Sequence, residues 1–217
     1  MSGETQRVLV WDIFVRTVHW SLVVLIPLAW WTYEIDQMTL HRLIGYGVLA
    51  LMAFRLFWGF AGSEPARFAN FLRGPRKVVA YIAGRAPHYV GHNPLGGWSV
   101  ALLMSLLCIQ PLLGLFAADQ DGLDSGPLAG LVSDDQAQLA EQLHAILFYL
   151  LIALATLHVV AISAYAWRGK NLLGPMLSGR AKLPREVAVP SLGTKVWAAA
   201  GLLLAVSIFA SLWWWGG

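Results

Sequence analysis

Residues 144–167 read HAILFYLLIALATLHVVAISAYAW, an apolar run that opens on His144 and carries His158 fourteen positions later. A stretch of about 20 apolar residues is long enough to cross the hydrocarbon core of a bilayer as a helix. A titratable side chain inside such a run is costly, so it usually marks function. At about 1.5 Å and about 100° per residue, His144 and His158 stand ~21 Å apart along a helix and within ~40° of one face. One helix can therefore offer an imidazole to each of two sites, one near each membrane surface.

Four further apolar segments flank this one, at 14–31, 43–60, 96–118 and 196–215. The chain is 58% hydrophobic and only 12% charged, where a soluble domain carries about 25% charged residues. The composition predicts an all-α integral membrane bundle of five spans. The first segment does not read as a cleaved signal: Asp12 and Arg16 stand at its start, no small-residue cleavage site follows, and it contains His19.

The net charge of +3 conceals an asymmetry. The loops between segments one and two and between three and four hold Glu34, Asp36, Asp119, Asp121, Asp124, Asp134, Asp135 and Glu141, against Arg42 as their one base. The other basic residues fall at the N-terminus, around 67–85, in 168–195, or at adjoining helix ends. The positive-inside rule then places the N-terminus in the cytoplasm of a bacterial inner membrane. Five spans carry the C-terminus outside, with Trp213, Trp214 and Trp215 as an interfacial belt. The cytoplasmic loop 61–95, with Phe68, Phe71, Arg73, Lys77, Tyr81 and Arg85, reads as one or two short amphipathic helices broken by Pro75 and Pro87. The stretch 169–191, with Pro175, Pro184 and Pro190, reads as a linker, and 118–142 begins Gly/Asp-rich and ends as a helical lead into span four. The expected organisation is a four-helix domain over 1–184, followed by a linker and an added helix over 185–217.

Depth pairs the histidines. His41 opens the second segment and His19 lies just inside the first. With alternating span direction, His41 matches His144 at the outer face and His19 matches His158 at the inner face. Two imidazoles on one iron leave no open coordination position, which favours electron transfer over oxygen binding. Zinc is the weaker rival, because a two-ligand site lacks its usual three or four donors. The single Cys108 sits in mid-span, and the absence of C-x-x-C-H excludes covalent c-type haem attachment.

Arg16, Arg42 and Arg55 stand near span ends. Each suits either a haem propionate, through bidentate pairing, or lipid head groups, by snorkelling. Gly45, Gly47 and Gly114 suit close approach of a macrocycle or of a neighbouring helix. His88 and His92 lie in HYVGHNPLGG before span three. Two readings stand for them: an interfacial turn and helix start, or a place near a quinone or proton site.

Several stretches together resemble one family. They are VWDIFVRTVHW at 10–20, HRLIGYGVLALMAFRLFWGFAG at 41–62, GHNPLGG at 91–97, the histidine pair of the fourth segment, and NLLGPMLSGRAKLP at 171–184. The chain resembles, over 8–184, the bacterial cytochrome b561 and nickel-hydrogenase b-type cytochrome family. That resemblance implies a four-helix core carrying two haem b groups and passing electrons between the quinone pool and a partner. It implies His19, His41, His144 and His158 as the axial ligands. The fifth helix departs from the minimal four-helix members and leaves room for hydrogenase-type and cytochrome c-linked relatives.

Three functions follow in order. The first is an electron carrier between a quinone and a periplasmic c-type cytochrome or hydrogenase, the acidic outer loops steering a basic partner. The second is a superoxide:quinone oxidoreductase at the outer face, where the acidic loops disfavour an anion and Arg42 offers a local positive funnel. The third is a transporter or anchor without redox chemistry. No phosphate-binding glycine loop, H-E-x-x-H or serine nucleophile motif is present. The basic face adjoins the spans and fits anionic membrane lipid rather than nucleic acid. A quinone site is expected near His19 and His92 or near Arg42, and a homo-oligomer stays open.

Overall fold

A computed structural model describes residues 4–85, 89–119 and 124–216. His88, Pro87 and Asp121 lie outside the described residues. In chain order the elements are β1 (Thr5–Leu9), α1 (Ile13–Glu34), α2 (Met38–Ala61), α3 (Phe68–Phe71), α4 (Pro75–Ile82), α5 (Pro94–Phe116), α6 (Asp134–Trp167), α7 (Leu173–Ser178), β2 (Arg180–Pro184) and α8 (Lys195–Gly216). Among the described residues, α1, α2, α5, α6 and α8 are long and apolar enough to cross a membrane. The protein is an all-α membrane helical bundle. Helices are what such apolar runs must form in lipid, where no water satisfies an open backbone. Large apolar side chains such as Val24, Ile146, Val159 and Val206 accordingly stand exposed on these helices.

The helix ends are written in local chemistry. Asp12 caps α1: its Oδ1 accepts the Val15 N–H at 2.9 Å. The α1–α2 turn closes through Asp36, whose φ of 58° is left-handed. Asp36 N–H donates to Tyr33 C=O at 3.0 Å and Gln37 N–H to Thr32 C=O at 2.8 Å, the paired bonds that end a helix around one left-handed residue. Asn93 caps α5 by accepting the Gly96 N–H at 2.7 Å, with Pro94 following.

Helix α6 begins at Asp134, ten residues before the apolar run at His144. Ser133 and Gln136 cap it reciprocally: Gln136 Oε1 accepts the Ser133 N–H at 3.1 Å, and Ser133 Oγ accepts the Gln136 N–H at 3.4 Å. Asp134 and Asp135 in the first turn suit the positive end of the helix dipole. His144 is therefore embedded in the helix rather than placed at its start.

Two loop expectations change. Pro75 does not break a helix; it is the first residue of α4, where its missing N–H costs nothing. The stretch expected as a linker is structured. Helix α7 ends on Gly179, in left-handed conformation at φ 79°. The Gly179 C=O accepts the N–H groups of Val10 and Trp11 at 2.8 and 3.0 Å. From there β2 pairs antiparallel with β1, with Leu9 opposite Arg180 and Thr5 opposite Pro184. A Cβ at position 179 would lie 2.8 Å from the Trp11 carbonyl oxygen, so both space and φ require glycine.

The chain resolves into two compact units. The first comprises Met1–His19, Arg55–Leu102 and Leu157–Ala200; the second comprises Trp20–Phe54, Leu103–Thr156 and Gly201–Gly217. The first unit is centred on Trp58, 1% exposed, whose Nε1 donates to Asp12 Oδ2 at 2.9 Å. The second has Met52, Phe54, Leu106 and Leu151 in its core.

Candidate functional site

In the second unit, α2 supplies His41 and α6 supplies His144. Their ring centroids stand 6.1 Å apart, with planes at 76°. Each ring is fixed through Nδ1 to a backbone carbonyl: His41 to Ala29 C=O at 2.8 Å, and His144 to Gln110 C=O at 2.8 Å. A carbonyl oxygen only accepts, so both Nδ1 atoms carry the proton. Both Nε2 lone pairs are then left for a ligand, the tautomer in which metal-binding histidines are usually held.

Both histidines line a cavity of about 650 Å³, together with Gly45, Val48, Leu107 and Gly114. This size lies within the ~300–1,000 Å³ usual for cofactor and ligand sites. A Cβ at Gly45 would meet nothing within 4 Å, whereas one at Gly114 would lie 3.1 Å from His144 Cε1. The lining also holds the carboxylates of Glu34, Asp36, Asp119, Asp124 and Glu141. Arg42, also in the lining, donates from Nη1 to Ser125 C=O at 3.0 Å.

In the first unit, His19 of α1 and His158 of α6 lie within electrostatic reach of one another. His92 lies within reach of both and of Arg55. The His92 ring packs between Trp11 at 4.7 Å and Phe71 at 5.0 Å. Its Nδ1 is wholly buried without a hydrogen-bond partner. Burial, reinforced by Arg55, His158 and His19, pushes the His92 imidazole down to about 3, so it is neutral at pH 7. Arg55, 6% exposed, donates from Nη1 to Ala66 C=O at 3.4 Å and stands 5.8 Å over the Phe68 ring. Arg16 donates from Nη2 to Leu177 C=O in the last turn of α7. Nearby, Tyr81 and Tyr165 share a hydrogen bond at 3.0 Å; burial and that bond push the Tyr81 phenol up to about 12.

A family model described as prokaryotic cytochrome b561 matches residues 10–179, from the end of β1 to the glycine that closes α7. The chain belongs to the prokaryotic cytochrome b561 family. No curated protein and no solved structure matches it. As a cytochrome b561 the chain binds haem b and serves membrane electron transfer. Helix α8 lies beyond the matched residues.

The second unit fits that group. Two neutral imidazoles on one cavity, with Nδ1 pinned and Nε2 free, are a donor set that would hold haem iron. Among the described residues, no three His, Cys, Asp or Glu side chains converge to hold a metal ion. What the site offers is paired imidazoles.

The structure thus brings the His41 ring to 6.1 Å from that of His144 and leaves His19 and His158 within electrostatic reach. Sequence reasoning did not single out Asp12, Gln110 or the Tyr81–Tyr165 pair. Asp12 carried a signal, a capping residue just before an apolar run, with the N–H it binds three positions on. Gln110 carried one too, as the single amide in the apolar part of α5.

Proposed function

We propose that this cytochrome b561 carries electrons across the inner membrane between the quinone pool and a periplasmic redox partner, a c-type cytochrome or a hydrogenase. Two haem b groups serve it, one held by His41 and His144 and one by His19 and His158. The observation that carries this reading is the His41–His144 pair: two rings 6.1 Å apart on one cavity, with both Nδ1 atoms pinned so that both Nε2 atoms are available. Bound haem supplies one-electron chemistry, and two imidazoles leave no open position for oxygen.

The chain's own residues do the rest. Arg55 is a buried cation in the unit of His19 and His158, and it suits a propionate through bidentate pairing. Arg16 and Arg42 are candidates for the same role, each already anchored to a backbone carbonyl. His92 and the Tyr81–Tyr165–Asn93 hydrogen-bonded group suit a quinone head group on the cytoplasmic side. The charge asymmetry of the loops supports a cytoplasmic N-terminus and a periplasmic C-terminus. Five carboxylates in the cavity of His41 and His144 suit a basic protein partner and disfavour attraction of superoxide.

The test is a redox-titrated visible spectrum of detergent-purified protein with a pyridine haemochrome count. Two low-spin b haems per chain are expected. One haem would remove one of the pairs from the proposal, and none would overturn it.

A further inference from the structure

Among the described residues, Gln110 of α5 is the one amide in the lining of the His41–His144 cavity, and the proposed function does not use it. It is 9% exposed. It grips His144 twice. Its backbone C=O accepts the His144 Nδ1–H at 2.8 Å, and its side-chain Nε2 donates to the His144 C=O at 2.8 Å. Its Oε1 is wholly buried and meets no hydrogen-bond partner. An unpaired buried acceptor is destabilising, and methionine would fill nearly the same volume without it. The amide therefore carries a cost that packing does not explain.

The other ring shows what is special here. His41 makes the same Nδ1 bond, but to Ala29, which has no side chain to return. Of this pair, His144 is the ring held at both ring and backbone by one residue. The two bonds close a loop between α5 and α6, and this fixes the rotation of α6 at which Nδ1 meets its acceptor. A carbonyl on Nδ1–H makes the imidazole a stronger donor through Nε2, which favours ferric iron.

We infer that Gln110 is the positioning residue of His144: it sets the ring's plane and donor strength, and so the potential of the haem that His144 holds. The inference rests on the reading of His144 as an axial ligand.

Gln110→Met removes the donor at nearly constant volume. The purified variant is expected to keep two low-spin haems. One midpoint potential should rise, by the equivalent of about a tenfold change in ferric-over-ferrous preference, ~59 mV for one electron. The component that moves should be the one missing in His144→Ala, and its largest electron paramagnetic resonance g value should shift as the ring plane is released. If Gln110→Met does not fold, Gln110→Leu is also neutral, loses the amide donor and is read in the same way. Unchanged potentials and g values would overturn the inference while leaving the ligand reading intact. Equal shifts in both haems would overturn it too, as a general disturbance. Two haems retained in His144→Ala would instead overturn the ligand reading itself.

Discussion

In the second unit, His41 and His144 are held by backbone carbonyls, face an apolar cavity and share it with five carboxylates. In the first unit, His19 and His158 stand within reach of a third imidazole, His92, which in turn stands within reach of the buried guanidinium of Arg55. The residue type is the same and the balance of charge differs: Asp12 acts on Arg55 in the first unit, and five carboxylates outnumber Arg42 in the second. A nearby cation favours the less positive ferrous state, and nearby carboxylates favour the ferric state. The two haems proposed for this chain should therefore differ in potential, with the one beside Arg55 higher.

The largest test of the comparison is removal of a ligand. His144→Ala should reduce the haem content from two per chain to one by eliminating the lower-potential component, and His158→Ala should eliminate the higher. A haemochrome count with a redox titration reads both, and loss of the same component in both variants would erase the distinction between the units. Next in size is Gly114→Val, which puts a branched side chain where even a Cβ lies 3.1 Å from His144 Cε1. That haem should be lost or turn high-spin, seen in the Soret band, while the other stays low-spin. An unaltered low-spin spectrum would mean that His144 is not held against Gly114.

Arg55→Leu sharpens the electrostatic half of the comparison. It should lower the higher of the two potentials by roughly 60 mV, a tenfold change for one electron, and leave the other within error. A shift of the lower component would place Arg55 with the wrong haem. The smallest effect is expected from Ser133→Ala, which removes the reciprocal cap of α6. It should cost about 1 kcal/mol of stability, typical of a lost cap, measured by thermal unfolding in detergent, with both potentials unchanged. A moved potential would mean that the extended start of α6 reaches His144.

The five spans were legible because lipid leaves an apolar run of this length little choice but helix. Four histidines stood out in the sequence because titratable groups are conspicuous in such runs, and their role as ligands belongs to the proposal. The start of α6 at Asp134 was only partly legible, since its signal is a polar cap and not hydropathy. The pairing of Thr5–Leu9 with Arg180–Pro184 was not legible at all. Two five-residue strands so far apart in sequence carry no local mark of each other, and the prolines around the second suggested a linker.

The sequence by itself determined the class of the molecule and the helices and set four imidazoles apart as candidate ligands, because each of these rests on local hydropathy and residue chemistry. Only the tertiary structure decided that the His41 ring stands 6.1 Å from His144, that Ala29 and Gln110 hold their tautomers, and that His92 packs between Trp11 and Phe71. These are contacts between helices, and inside an apolar span the sequence does not distinguish a residue facing lipid from one facing a neighbour.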